Sequence, residues 1–164
     1  MLDSTLIRRK LAAMFEHLNV LEPLSQISLE EYVRDPIRRH AAEKLVELVV
    51  EFASDVNRAI LQGLDKMPPQ TYYNSFLELS QLGIIPPGLM PRLASATGLR
   101  NRLVHRYESL DNEAAYYSLQ PLARNYREYG DLIEAFLEGE EKRQAKKPAA
   151  RKSKKRKAGS PDGL

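Results

Sequence analysis

The sequence predicts an all-α protein, an up-and-down bundle of about five helices with short loops and a disordered basic C-terminal tail. Apolar residues recur at steps of three and four along most of the first 138 positions, which is the period of a helix with one buried face. No segment alternates apolar and polar residues as a strand does, and no hairpin signal occurs. The stretch from residue 140 onward has no apolar repeat and is too polar to form a core.

Two helices are predicted in the first third of the chain. Residues 5–22 form an amphipathic helix by their apolar spacing. Ser28 followed three positions later by Glu31 is a capping box, which begins a long helix over residues 29–62. Pro36 falls inside that helix and lacks a backbone donor, so we expect a kink there.

Three further helices complete the predicted bundle. The first covers residues 71–82 and stops at Gly83. A proline-rich turn then begins a helix over residues 87–108, because proline is tolerated in a first turn. Asp111 or Asn112 caps the last helix, over residues 113–138.

The charge of the chain is unevenly distributed. The net charge of +3 is the sum of two unlike parts. The bundle, residues 1–139, has 15 Lys and Arg against 19 Asp and Glu, a net charge of −4. The tail, residues 140–164, has 10 Lys and Arg against 3 Asp and Glu, a net charge of +7. We therefore expect one mildly acidic domain carrying a polycationic appendage. Such a tail can collect nucleic acid by releasing counterions, and it lacks aromatic residues for reading bases. Its candidate contacts are Lys152, Lys154, Lys155, Arg156 and Lys157.

Composition also excludes several classes of protein. The chain has no cysteine, so it has neither disulfides nor a thiolate metal site. His17, His40 and His105 are not at metal-ligand spacing, so we expect no bound metal and no cofactor. No apolar run is long enough to span a membrane, and no signal-peptide pattern occurs. A cytoplasmic protein is the expectation.

The segment from Arg100 to Tyr107 carries the candidate chemistry. Counted at 100° per residue, Arg100, Asn101, His105 and Tyr107 share one broad polar arc, opposite the leucine face of the helix. An arginine can hold a phosphate, and an imidazole can move a proton near neutral pH. On spacing alone, a histidine and an arginine on a helix are more often structural than catalytic.

The pattern Arg-Asn-x-x-x-His-x-Tyr at residues 100–107 resembles the Arg-x4-His element of HEPN domains in HepT-type toxins. Residues 32–45, 51–57 and 76–85 are similar to other parts of that family, in the same order. The resemblance implies a homodimeric ribonuclease with the motif facing across the two-fold axis. It also implies a cognate antitoxin, an MntA-like nucleotidyltransferase, which AMPylates the tyrosine at position 107.

The resemblance and the residue chemistry together predict metal-independent RNA cleavage. His105 would transfer the proton, Arg100 would stabilise charge on the phosphoryl oxygens, and Asn101 would position the substrate. The expected products are a 2′,3′-cyclic phosphate and a 5′-hydroxyl, and the substrate could be tRNA or mRNA.

Two other interpretations remain open at the level of sequence. One is a catalytically inactive HEPN module that binds RNA, a nucleotide or a nucleotidyltransferase partner. The other is a DNA-associated protein that binds through its tail and uses the bundle only to dimerise. An intact pair of Arg100 and His105 favours the ribonuclease.

Overall fold

The computed structural model describes residues 1–105 and 111–157. For residues 147–157 it describes the backbone only. The described part of the chain contains six helices and no strand, which confirms the predicted all-α fold. The helices are α1 (Ser4–Leu24), α2 (Leu29–Arg34), α3 (Pro36–Gly63), α4 (Tyr72–Gln81), α5 (Met90–His105) and α6 (Asn112–Lys157).

The long second helix of the prediction is two helices, because the chain breaks at Asp35. Asp35 has an extended backbone (φ −100°, ψ 96°), and Pro36 is the first residue of α3. A residue before proline is driven out of the helical region, while proline itself suits the first helical position. The Asp35 carboxylate then accepts hydrogen bonds from the backbone N–H groups of Ile37 (3.0 Å) and Arg38 (3.1 Å). The proline therefore produces a capped restart of the helix and not a kink.

Local hydrogen bonds define both sides of this break. The predicted capping box is confirmed: Ser28 Oγ accepts from the Glu31 N–H (3.1 Å), and the Glu31 carboxylate accepts from the Ser28 N–H (3.0 Å). Asp35 also forms an ion pair with Arg38 at 3.3 Å. Arg39 donates from Nη1 to the backbone carbonyl of Val33.

The core lies where α1, α3 and α6 pack together, with α4 and α5 closing one side. Its members come from all six helices and from the turn before α5. The largest side chains that are fully buried are Tyr32, Tyr126, Tyr129, Phe76, Ile7, Leu11, Met14, Leu18, Leu21, Ile60, Leu61 and Leu79.

A buried chain of hydrogen bonds connects this core to the start of α4. Tyr129 Oη lies 2.6 Å from Asn57 Oδ1, and Asn57 Nδ2 donates to Ser75 Oγ at 3.0 Å. The Ser75 hydroxyl in turn donates to the backbone carbonyl of Tyr72 at 2.7 Å. Because buried polar groups lose much free energy when unpaired, this network fixes the first turn of α4 against α3 and α6.

Helix α6 continues well beyond its predicted end near residue 138. It reaches Lys157, although the sequence predicts disorder from residue 140 onward. Arg8 on α1 pairs with Glu134 (3.1 Å) and, within the extension, with Glu141 (2.5 Å). Lys, Arg, Gln, Glu and Ala are good helix formers, so a helix already nucleated on the core propagates into them. The domain boundary at residue 139 stays a prediction, and residues 158–164 lie outside the described part.

No helix in the described ranges is long and apolar enough to cross a membrane.

Candidate active site

The motif lies on the last two turns of α5, as the sequence predicts. Leu99 and Leu103 are buried and hold this end of the helix against the core. Asn101 and His105 are exposed on the opposite side. His105 is the last residue of α5, and Tyr107 lies in the segment 106–110 that the structure does not describe.

The predicted polar arc has one edge against the protein and one edge in solvent. On an ideal helix Arg100 and His105 point about 140° apart and lie roughly 7.5 Å apart along the axis, with Asn101 between them. Arg100 is half-buried, because it occupies the edge of the arc on the Leu103 side, whereas His105 is exposed. The arc thus presents an exposed imidazole and amide beside a guanidinium that the fold holds in place.

Tyr72 holds that guanidinium. The Arg100 Cζ lies 4.6 Å from the centre of the Tyr72 ring, within the range of a cation–π contact. The Arg100 Nε is buried and has no hydrogen-bond acceptor among the described residues. Tyr72 is itself fixed, since its carbonyl accepts the Ser75 hydroxyl at the end of the buried network. Stacking on Tyr72 therefore orients the Arg100 guanidinium.

The sequence predictions do not include this role of Tyr72. Other tyrosines of α4 and α6 fall into two sets by their burial. Tyr126 and Tyr129 are fully buried, whereas Tyr73 and Tyr117 are 50% and 61% exposed. No local pattern around Tyr72 could have indicated a partner on α5.

Arg34 and Asp35, at the junction of α2 and α3, make local contacts. Arg34 pairs with Glu30 one turn earlier on α2, at 2.6 Å, and both side chains are well exposed. Asp35 caps α3. These contacts explain both residues as helix-end residues, and a role in the site stays untested.

A buried carboxylate lies on the first turns of α3. Glu43 is only 5% exposed, and its Oε2 lies 2.9 Å from Nδ1 of the more exposed His40. Burial raises the pKa of the nearby Tyr32 to about 12, and the negative charge of Glu43 adds to the effect. The Tyr32 ring packs 5.5 Å from that of Tyr116 on α6. This cluster joins the α2–α3 junction to the N-terminal end of α6.

The described residues contain no group of three or more His, Cys, Asp and Glu side chains placed to hold a metal ion. The predicted tail contacts, from Lys152 to Lys157, lie on the backbone of α6, and their side chains are outside the described part.

Comparison with known proteins identifies relatives across most of the chain. The sequence profile of the family "Ribonuclease HepT-like" matches residues 14–133. The tRNA nuclease HepT of Aphanizomenon flos-aquae (strain 2012/KM1/D3) is 29% identical over 136 residues, which are 83% of this chain and 92% of the relative. The mRNA nuclease HepT of Shewanella oneidensis is 28% identical over 93 residues, 57% of this chain and 67% of the relative.

A solved structure shares the fold. The tri-AMPylated HEPN toxin of Shewanella oneidensis, in complex with an MNT antitoxin, superimposes with a TM-score of 0.74 at 22% identity. The match covers 82% of this chain and 99% of that toxin. The fold of this chain is therefore shared with that toxin.

Proposed function

Because the chain belongs to the HepT-like ribonuclease family, which includes the toxins of MntA–HepT pairs, we propose that it is an RNA-cleaving toxin whose catalytic residues are Arg100 and His105. One observation carries the assignment of these residues. Helix α5 presents an exposed His105 on the same arc as Arg100, whose guanidinium is stacked on Tyr72 and whose Nε has no acceptor among the described residues.

The proposed reaction is an internal transesterification. An imidazole of His105 takes the proton of a ribose 2′-hydroxyl, whose oxygen bonds to the adjacent phosphorus while the bond from phosphorus to the 5′-oxygen breaks. The departing 5′-oxygen takes up a proton, which leaves a 2′,3′-cyclic phosphate and a 5′-hydroxyl. Arg100 stabilises the charge that develops on the phosphoryl oxygens, and Asn101 orients the phosphate.

A homodimer is part of this proposal. The motif supplies one histidine per chain, and the reaction needs one group to accept a proton and one to donate it. A two-fold axis beside α5 would place a second His105 across a shared cleft. The buried face of α5 already packs on its own chain through Leu99 and Leu103, so the exposed arc is the face available to a partner copy.

The proposed control is AMPylation of Tyr107 by a cognate MntA-like nucleotidyltransferase. The tyrosine is two positions beyond His105. An added AMP would bring a phosphate next to Arg100 and compete with the scissile phosphate. The names of the two nuclease relatives point to different RNA classes, so the proposal specifies RNA and not one class of it. A cytoplasmic location belongs to the same proposal.

Incubation of the purified protein with total RNA in excess chelator tests the function. We expect fragments with 2′,3′-cyclic phosphate ends from the wild type and none from His105→Ala. Cleavage that stops on addition of chelator would contradict the metal-independent mechanism. RNA binding without any cleavage would favour the inactive HEPN module.

Tyr72→Ala should lower the rate of cleavage about tenfold, because Arg100 loses the ring that aims it, and a partly desolvated cation–π contact contributes roughly 1–2 kcal/mol. Tyr72→Phe keeps the ring and should keep the rate. Tyr73→Ala, on the adjacent and half-exposed tyrosine, is the matched control. Equal single-turnover rates for Tyr72→Ala and Tyr73→Ala would exclude the positioning role.

Deletion of residues 147–164 should leave a folded bundle that binds RNA more weakly and with a flatter salt dependence. This cut retains the Arg8–Glu141 pair between α1 and α6. Each lost phosphate contact reduces the slope of log K against log salt by about 0.7–0.9. Affinities at several salt concentrations measure the slope. A full-length chain with glutamine at Lys152, Lys154, Lys155, Arg156 and Lys157 controls for length, and an unchanged slope in both proteins would rule out an electrostatic tail.

A further inference from the structure

A groove of about 300 Å³ runs between α5 and α6, on the other side of the motif from Tyr72. Its α5 wall is a single stripe of residues at steps of three and four, namely Arg92, Ser95, Leu99 and Arg102. Arg102 is also one helical turn from His105, and residues three apart are neighbours on a helix surface. The groove therefore begins where the polar arc ends, on the histidine side.

The fixed charge of the groove is positive. Its described lining includes two arginines, Arg92 and Arg102, and no carboxylate. Arg92 donates to Asn125 Oδ1 (3.2 Å) and lies 3.5 Å from the Glu128 carboxylate, which leaves it partly neutralised. Arg102 is exposed and forms no ion pair within the described ranges. Of the two arginines, Arg102 is therefore the one better able to bind the phosphate next to the scissile phosphate.

The α6 wall carries an exposed aromatic ring. Tyr117 is 61% exposed, although aromatic side chains usually bury most of their surface. Its ring meets the edge of Tyr116 at 5.2 Å between centroids. Tyr116 is anchored, since its hydroxyl donates to the Ile27 carbonyl at 2.7 Å. Tyr117 is thus an exposed ring on a rigid support, above a groove with arginine on its opposite wall.

We propose that this groove binds a nucleotide of single-stranded RNA next to the scissile phosphate, with its base stacked on Tyr117 and its phosphate held by Arg102. The inference rests on the proposed ribonuclease function and adds that the substrate is unpaired at this position. A base can stack on a protein ring only when it is free of its helix. Stacking tolerates any base, so the groove contributes affinity and not sequence selection.

The substrate path that follows crosses the end of α5. The scissile phosphate lies between Arg100 and His105, and the neighbouring nucleotide continues past Arg102 into the groove.

Binding of a fluorescent ten-nucleotide single-stranded RNA tests the proposal, by anisotropy in the His105→Ala background so that nothing is cut. We expect Tyr117→Ala and Arg102→Ala each to raise Kd about tenfold, and Tyr117→Phe to bind like the parent. Matched controls are Tyr73→Ala and Arg9→Ala, an exposed tyrosine and an exposed arginine on other faces. A blunt RNA duplex should bind the Tyr117→Ala variant as well as it binds the parent.

Three results would overturn the groove assignment. One is equal affinity of Tyr117→Ala and Tyr73→Ala for the single strand. Another is a loss of affinity for the duplex equal to the loss for the single strand, which would indicate general electrostatic binding of RNA. The third is a change in sedimentation of the Tyr117→Ala variant, which would make the groove a contact between copies. These readings use binding alone, so a wild type that cleaves no RNA would contradict the proposed function without deciding the groove.

Discussion

We expect His105→Ala and Arg100→Ala each to abolish RNA cleavage while the bundle stays folded. Loss of a general acid–base group typically costs 10²–10⁴-fold in rate, and loss of a group that stabilises transition-state charge costs about 10²–10³-fold. His105 is exposed, so its truncation leaves the core untouched. Arg100→Ala also gives up the contact with Tyr72, which should lower stability by roughly 1 kcal/mol.

Single-turnover cleavage of a defined RNA measures the rates, and thermal unfolding with far-UV circular dichroism measures the fold. Arg9→Ala removes an exposed arginine from α1 and is the control for charge. Wild-type activity in either motif variant would exclude that residue from the active site. Inactive variants that also unfold would instead support a structural role for the motif.

Tyr107→Phe produces a toxin that its antitoxin cannot silence. If Tyr107 is the acceptor, co-expression with the cognate nucleotidyltransferase adds one or more AMP groups to the wild type and none to the variant. Each AMP would add negative charge two positions along the chain from His105 and so disfavour binding of the scissile phosphate. The phenylalanine keeps the ring and removes only the hydroxyl that is modified, so the variant should fold and cleave RNA.

Intact-mass spectrometry of the co-expressed proteins measures the modification, and a cleavage assay on the same samples measures silencing. Tyr117→Phe is the matched control, because Tyr117 is an exposed tyrosine at which no modification is proposed. AMP attached to the Tyr107→Phe protein would place the acceptor at another residue and refute the assignment.

The helices were predictable because their signals are local. The Ser28–Glu31 capping box and the leucine spacing of Leu99 and Leu103 act within one or two turns of chain. The break at Asp35 belongs to the same class, since the effect of Pro36 on the residue before it needs no tertiary contact. A proline inside one continuous helix predicts a kink, whereas a proline at a first helical position begins a new helix, as Pro36 does.

Sequence by itself determined which residue types stand on α5 and at what spacing, together with the family to which they belong. Only the tertiary structure decided their surroundings. The stacking of Arg100 on Tyr72 and the groove that joins Arg102 to Tyr117 each bring together residues from different helices. Such contacts depend on how the helices cross and in what register they pack. That geometry comes from the whole core acting at once, so no short stretch of sequence records it.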